Sequence, residues 1–222
     1  MNKKITVQDV ADTIDHSLLR PDITVEGLKE GCALAAKYHC ISVCVRPSDV
    51  EIADKELKGT GVLVTTVIGF PHGTCTKETK VFETKDAIAN GASEIDMVIN
   101  IGFLKDGRYE EVENEIRAIH EACDGRILKV IIETCLLTEE EKIKMCEIVT
   151  KAGADYIKTS TGFSTGGATF EDVALLQKHV GDSVKVKAAG GISSLEDAER
   201  FLRLGADRLG TSRLIALCKS TD

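Results

Sequence analysis

Two hydrophobic periods alternate along the chain. Short runs in which every second residue is apolar predict strands, and longer runs with apolar residues three and four apart predict amphipathic helices. Strands are predicted over residues 13–19, 40–46, 62–69, 94–101, 127–134, from 156, and over 184–189 and 208–211. Helices are predicted over 24–36, 48–57, 76–90, 109–123, 138–153, 170–180 and 193–204, with a last one after residue 211. A short helix starting at the capping-box pattern Thr6-Val7-Gln8-Asp9 precedes the first strand.

One joint recurs. Asn90-Gly91-Ala92-Ser93-Glu94-Ile95, Ala152-Gly153-Ala154-Asp155-Tyr156-Ile157 and Leu204-Gly205-Ala206-Asp207-Arg208-Leu209 each read as a helix end, a glycine suited to the left-handed C′ position, a polar link and a strand. Eight strand–helix units with no composition break predict one α/β domain over residues 1–222, a (β/α)₈ TIM barrel. A doubly wound open sheet is the alternative. No G-x-G-x-x-G or Walker sequence supports the nucleotide site such a sheet often carries.

Composition narrows the function classes. Apolar residues make up 43% of the 222, aromatics only 4%, and Trp is absent, which suits an aliphatic core and disfavours a stacking platform for single strands. The net charge of −8 disfavours non-specific contact with nucleic acid or an anionic membrane surface. No run is long enough to span a bilayer, and no apolar run follows Lys3-Lys4 as a secretory signal requires. The eight cysteines form no C-x-x-C pair and read as reduced thiols used as small hydrophobes in a cytoplasmic protein.

Strand parity then supplies the candidate chemistry. In a barrel the apolar set faces the helices and the other set faces the lumen. The inward set holds Asp15, Cys44, Asp96, Lys129, Glu133, Lys158, Lys185 and Lys187. Buried charges are costly without partners or a task. Lys129 and Lys185 come early in their strands and read as ion-paired plugs of the closed end, Cys44 as core filler, and Asp15 as a cap or ion-pair partner.

Asp96, Lys158 and Lys187 lie toward the strand ends where barrel active sites form. Two readings of the lysines stand side by side. They are permanent cations that clamp a phosphate, with Asp96 as counter-ion. Alternatively, burial and a neighbouring ammonium free one amine to attack an aldehyde, and the inward carboxylate moves protons. No H-E-x-x-H or comparable cluster points to a metal. Gly190-Gly191-Ile192-Ser193 and Gly210-Thr211-Ser212-Arg213 follow strands seven and eight, the usual anion site of this barrel, and Gly162 offers a further amide. The plainer account makes these glycines ordinary turns.

The sequence resembles the deoxyribose-phosphate aldolase family from about Ile14 onward. The resemblance is carried by Asp15-His16-Ser17-Leu18-Leu19, Ser42-Val43-Cys44-Val45, Glu94-Ile95-Asp96-Met97-Val98-Ile99-Asn100, Lys129-Val130-Ile131-Ile132-Glu133-Thr134, Ile157-Lys158-Thr159-Ser160-Thr161-Gly162-Phe163 and Lys187-Ala188-Ala189-Gly190-Gly191-Ile192. It implies a class I aldolase without metal or organic cofactor that reversibly cleaves 2-deoxy-D-ribose 5-phosphate to acetaldehyde and D-glyceraldehyde 3-phosphate. Lys158 resembles the Schiff-base lysine, Lys187 the lysine that depresses its pKa, and Asp96 the proton donor and acceptor. Gly162, Gly190, Gly191, Gly210 and Ser212 match the phosphate site, with Asp15 and Cys44 behind it. Arg213 stands where some members have serine, and Arg20 where many have lysine. The resemblance also implies a homodimer or homotetramer, although no interface pattern marks the sequence.

Overall fold

The computed structural model describes residues 5–213. Eight strands run parallel and close in chain order: β1 (Ile14–Leu18), β2 (Ser42–Val45), β3 (Leu63–Ile68), β4 (Glu94–Val98), β5 (Ile127–Ile131), β6 (Tyr156–Lys158), β7 (Lys185–Ala189) and β8 (Ala206–Thr211). Pairing of Asp15 with Gly210 shuts the cylinder. The helices are α1 (Val7–Ala11), α2 (Val25–Lys37), α3 (Val50–Leu57), α4 (Lys77–Ala89), α5 (Ile101–Lys105), α6 (Tyr109–Ala122), α7 (Glu139–Ala152), α8 (Phe170–His179) and α9 (Leu195–Arg203). This is a (β/α)₈ TIM barrel with a short N-terminal helix. The helix expected after β8 falls outside the described residues.

Local chemistry sets the boundaries. Thr138 caps α7 with a full capping box closed by Glu141, and Gly153 ends it in the left-handed conformation (φ 81°). The expected joint thus holds before β6. The same capping-box device, Thr6 with Asp9, starts α1.

Two strands end earlier than their patterns predict. The Asn100 side chain accepts from the Phe103 amide and so starts α5 where strand β4 was expected to continue. After Ile131 the chain turns, Glu133 takes φ 56°, and residues Thr134–Leu136 form a 3₁₀ turn.

The core has two compartments. Outward residues, such as Ile14, Val43, Ile95, Met97, Leu128, Val130, Ile157 and Val186, form one apolar cluster with the helices. That layer buries the barrel wall and carries most of the hydrophobic stabilisation. The lumen is lined by the alternate set and is charged. No helix among the described residues is long and apolar enough to cross a membrane.

Candidate active site

Strand β6 is only three residues long and ends on Lys158. Its placement is fixed from both sides: the Asp155 carboxylate accepts from the Leu128 amide, and the Thr159 hydroxyl bridges to Ala189, donating to its carbonyl and accepting from its amide. Lys158 and Lys187 therefore stand opposite each other in the β6–β7 register. Both side chains turn into the lumen toward β4. Lys158 Nζ and Lys187 Nζ each lie 2.7 Å from the same oxygen, Oδ2 of Asp96. Lys187 also donates to Asp15, which is fully buried.

The lumen distributes charge unevenly. Burial and the Lys187 ammonium push Lys158 below the ordinary lysine range, against the pull of Asp96. Burial acts the same way on Lys187, but Asp15 and Asp96 outweigh it and hold Lys187 above that range. Burial favours a neutral Asp96, yet Lys129, Lys158 and Lys187 keep it well below the usual carboxylate range. Burial pushes the Cys44 thiol in the same lumen up to about 11, so it is neutral. The arrangement is one amine inclined to lose its proton, one that keeps it, and a carboxylate between them.

A cavity of about 650 Å³ opens at the C-terminal end of the barrel. Lys158, Gly162, Gly190, Gly191, Gly210 and Ser212 line it, with Arg20 and Arg213 also on its wall. Asp96 and Lys187 sit deeper and are fully buried, so Lys158 is the amine of this group that meets the cavity. Gly162, Gly190 and Gly191 all have positive φ near 80°, which turns the backbone at the cavity mouth in a way L side chains resist. Gly210 plays a different part. A Cβ there would lie 2.8 Å from Ala189 Cβ and 3.2 Å from Lys187 Cε, so its missing side chain makes room for Lys187. Arg20 pairs with Asp22 in solvent, and the Arg213 amide donates to the Thr211 hydroxyl.

Two expectations are corrected. Lys185 was expected inside the lumen as an ion-paired plug of the closed end. It does pair there, with Asp207 at the N-terminal rim, but its side chain is 59% exposed rather than buried in the lumen. It is the first residue of β7, so although alternation holds through the β6–β7 register, its side chain lies at that rim and reaches solvent. Glu133 was expected on β5 facing inward. The strand ends two residues before it, and the buried Glu133 carboxylate instead accepts from the amide and hydroxyl of Thr161, anchoring the turn that carries Gly162.

The sequence reading also missed lumen residues. Glu94 and Arg208 pair at 2.8 Å beneath Asp96, and Lys129 bonds Glu94 (2.5 Å) and Asp96 (3.0 Å). Tyr156 is buried below Lys158 and donates its hydroxyl to Asp207. Glu94 shares the parity of Asp96, and Tyr156 that of Lys158, so alternation held the signal. Their places in the polar helix–strand joints concealed it.

Comparison with known proteins is consistent across sequence and structure. A family model described as DeoC/LacD family aldolase matches residues 9–212. A deoxyribose-phosphate aldolase of Clostridium perfringens is 56% identical over 213 residues, covering 96% of this chain and 95% of that one. One from Streptococcus agalactiae is 54% identical over 214 residues, 96% of each. A tetrameric deoxyribose phosphate aldolase from Aeropyrum pernix superposes with a TM-score of 0.90 at 30% identity, over 98% of this chain and 94% of that one. With its barrel, its paired lumen lysines and these relatives, the chain belongs to the DeoC/LacD family of aldolases.

Proposed function

We propose that the protein is a deoxyribose-phosphate aldolase that works through an imine on Lys158. The observation that carries this reading is that Lys158, alone of the lumen lysines, lines the cavity while Lys187 and Asp96 flank its amine from behind.

The neutral Lys158 amine adds to the aldehyde carbon of open-chain 2-deoxy-D-ribose 5-phosphate, and loss of water leaves an iminium ion. Asp96, acting through a water, takes up the C3 hydroxyl proton as the C2–C3 bond breaks. Its electron pair flows into the iminium, giving an enamine, and D-glyceraldehyde 3-phosphate departs. Asp96, which touches both lysines through one oxygen, returns a proton to C2 with Lys187 as its cationic partner. Water hydrolyses the new iminium and releases acetaldehyde.

The substrate phosphate is placed against Gly162, Gly190, Gly191, Gly210 and Ser212, where the Ser194-capped start of α9 adds the favourable end of a helix dipole. Arg213 and Arg20, both guanidinium residues, stand on the same cavity wall. A single catalytic domain over the whole chain, assembly as a homodimer or homotetramer, and a cytoplasmic setting belong to the same proposal.

The test is product analysis. Purified protein given 2-deoxy-D-ribose 5-phosphate is expected to yield acetaldehyde and glyceraldehyde 3-phosphate in equal amounts, and Lys158→Ala to yield neither while still folding. A Lys158→Ala variant with near wild-type turnover would sink the assignment.

A further inference from the structure

Below Lys158, Asp96 and Lys187 lies a second layer of charge with no step of its own in the reaction. Lys129 on β5 is fully buried, and its ammonium reaches Glu94 Oε2 at 2.5 Å, Asp96 Oδ1 at 3.0 Å and Asp15 Oδ2 at 3.6 Å. Glu94 is braced in turn. Arg208 meets it with Nη2 on Oε1 at 2.8 Å and Nη1 on Oε2 at 3.2 Å, and the Thr65 hydroxyl donates to Oε2 at 2.9 Å. Arg208 Nη1 also donates to Asp15 Oδ1 at 2.7 Å.

The two oxygens of Asp96 are therefore divided. Oδ2 takes Lys158 and Lys187, while Oδ1 is held by Lys129. A carboxylate shared among three ammonium groups stabilises each less than it would stabilise one alone, and a carboxylate fixed at Oδ1 cannot rotate to chelate Lys158. We propose that Lys129, braced by Glu94 and Arg208, is a positioning residue that fixes the Asp96 carboxylate and draws off its charge, so that Lys158 is left as the free amine. This inference rests on Lys158 being the imine-forming lysine.

The charged and titratable groups around Lys158 are Asp15 on β1, Cys44 on β2, Glu94 and Asp96 on β4, Lys129 on β5, Tyr156 on β6 itself, Lys187 on β7 and Arg208 on β8; β3 supplies the uncharged Thr65. With Cys44 and Tyr156 neutral and Lys158 itself counted as charged, the four cations outnumber the three carboxylates by one. Lys158 is the member of this array on the cavity wall, where its proton can leave to solvent. Lys129 and Arg208 are both held firmly protonated, above their ordinary ranges, by the carboxylates around them despite burial.

The experiment measures the rate of borohydride trapping of acetaldehyde on Lys158 as a function of pH, with the adduct located by peptide mapping. Lys129→Met releases Asp96 to Lys158, so the midpoint of the rise in trapping is expected to move up by roughly one pH unit. Lys129→Gln keeps a donor for Asp96 without the charge and is expected to move the same way, covering the case in which the Met variant does not fold. Glu94→Gln leaves Lys129 leaning harder on Asp96, and its midpoint is expected to move down. A solely structural role predicts lower thermal stability with no opposed shifts. Midpoints that stay put, or that move together in the Lys129 and Glu94 variants, overturn the inference. A wild-type protein that gives no Lys158 adduct at any pH overturns the reading beneath it instead.

Discussion

Lys158 and Lys187 share one carboxylate oxygen: both ammonium nitrogens lie 2.7 Å from Asp96 Oδ2, and the two residues are direct partners in the β6–β7 register. The pairing separates two otherwise similar side chains. Lys187 has a second carboxylate, Asp15, and is fully buried, whereas Lys158 has Asp96 alone and faces the cavity. Environment, not residue type, pushes Lys158 below the ordinary lysine range and Lys187 above it.

Asp96 is the hub of this balance. Asp96→Asn removes the common counter-ion of Lys129, Lys158 and Lys187. Lys129 keeps Glu94 and Lys187 keeps Asp15, but Lys158 loses its carboxylate partner, and breaking a buried pair costs about 3–5 kcal/mol. Urea unfolding at neutral pH is expected to show a loss of that order, together with a fall in turnover. A variant as stable as wild type would show that the lumen does not depend on this carboxylate.

His16 predicts a distinct acid sensitivity. It is 4% exposed, its Nδ1 finds no hydrogen-bond partner among the described residues, and burial, opposed by a backbone hydrogen bond with Thr211, lowers its pKa to about 4. The folded state thus binds the proton more weakly than the unfolded chain, whose histidine titrates near 6.5. The stabilisation is complete above that value and is lost as pH falls from about 6.5 toward 4, amounting to roughly 3 kcal/mol. His16→Leu is expected to flatten the decline in unfolding free energy between pH 7.5 and 4.5, as measured by urea titration, while an unchanged decline would assign it to other groups.

The glycines of the cavity divide into two kinds. Gly190 has φ 82°, and a Cβ there would sit 3.2 Å and 3.4 Å from the Cα atoms of Gly167 and Gly162, so Gly190→Ala distorts the loop against which the phosphate is placed. Its KM for the phosphorylated sugar is expected to rise about tenfold or more, with acetaldehyde trapping little affected.

Gly210→Ala should behave in the opposite way. Its new methyl group presses on Ala189 and on Lys187 Cε, so kcat is expected to fall further than KM rises. Steady-state kinetics on the two variants separates these effects, and identical profiles would contradict the division.

Much of this was legible in the sequence because barrel strands obey a strict parity. Asp15, Asp96, Lys158 and Lys187 all turn inward as alternation predicts, and the glycine joint before β6 falls where its pattern places it. Parity misleads where the strand begins or ends. Lys185 keeps the register of β7 but stands at its first residue, where the side chain reaches solvent, and Glu133 follows a strand that ends at Ile131. Glu94 and Arg208 were hidden for another reason. A charged residue beside a turn looks like solvent-facing polarity until the closed sheet shows that each has a partner across the lumen. Nor did alternation choose between the two lysines. That choice needs the cavity, which Lys158 lines.

The central claim is imine formation on Lys158, and borohydride reduction in the presence of acetaldehyde tests it most directly. The account predicts an ethyl group on Lys158, found by intact mass and peptide mapping, and none in Lys158→Ala. An adduct on Lys187 would exchange the roles of the two lysines. A folded protein that gives no adduct would contradict the account and favour the lysines as clamps for an anion.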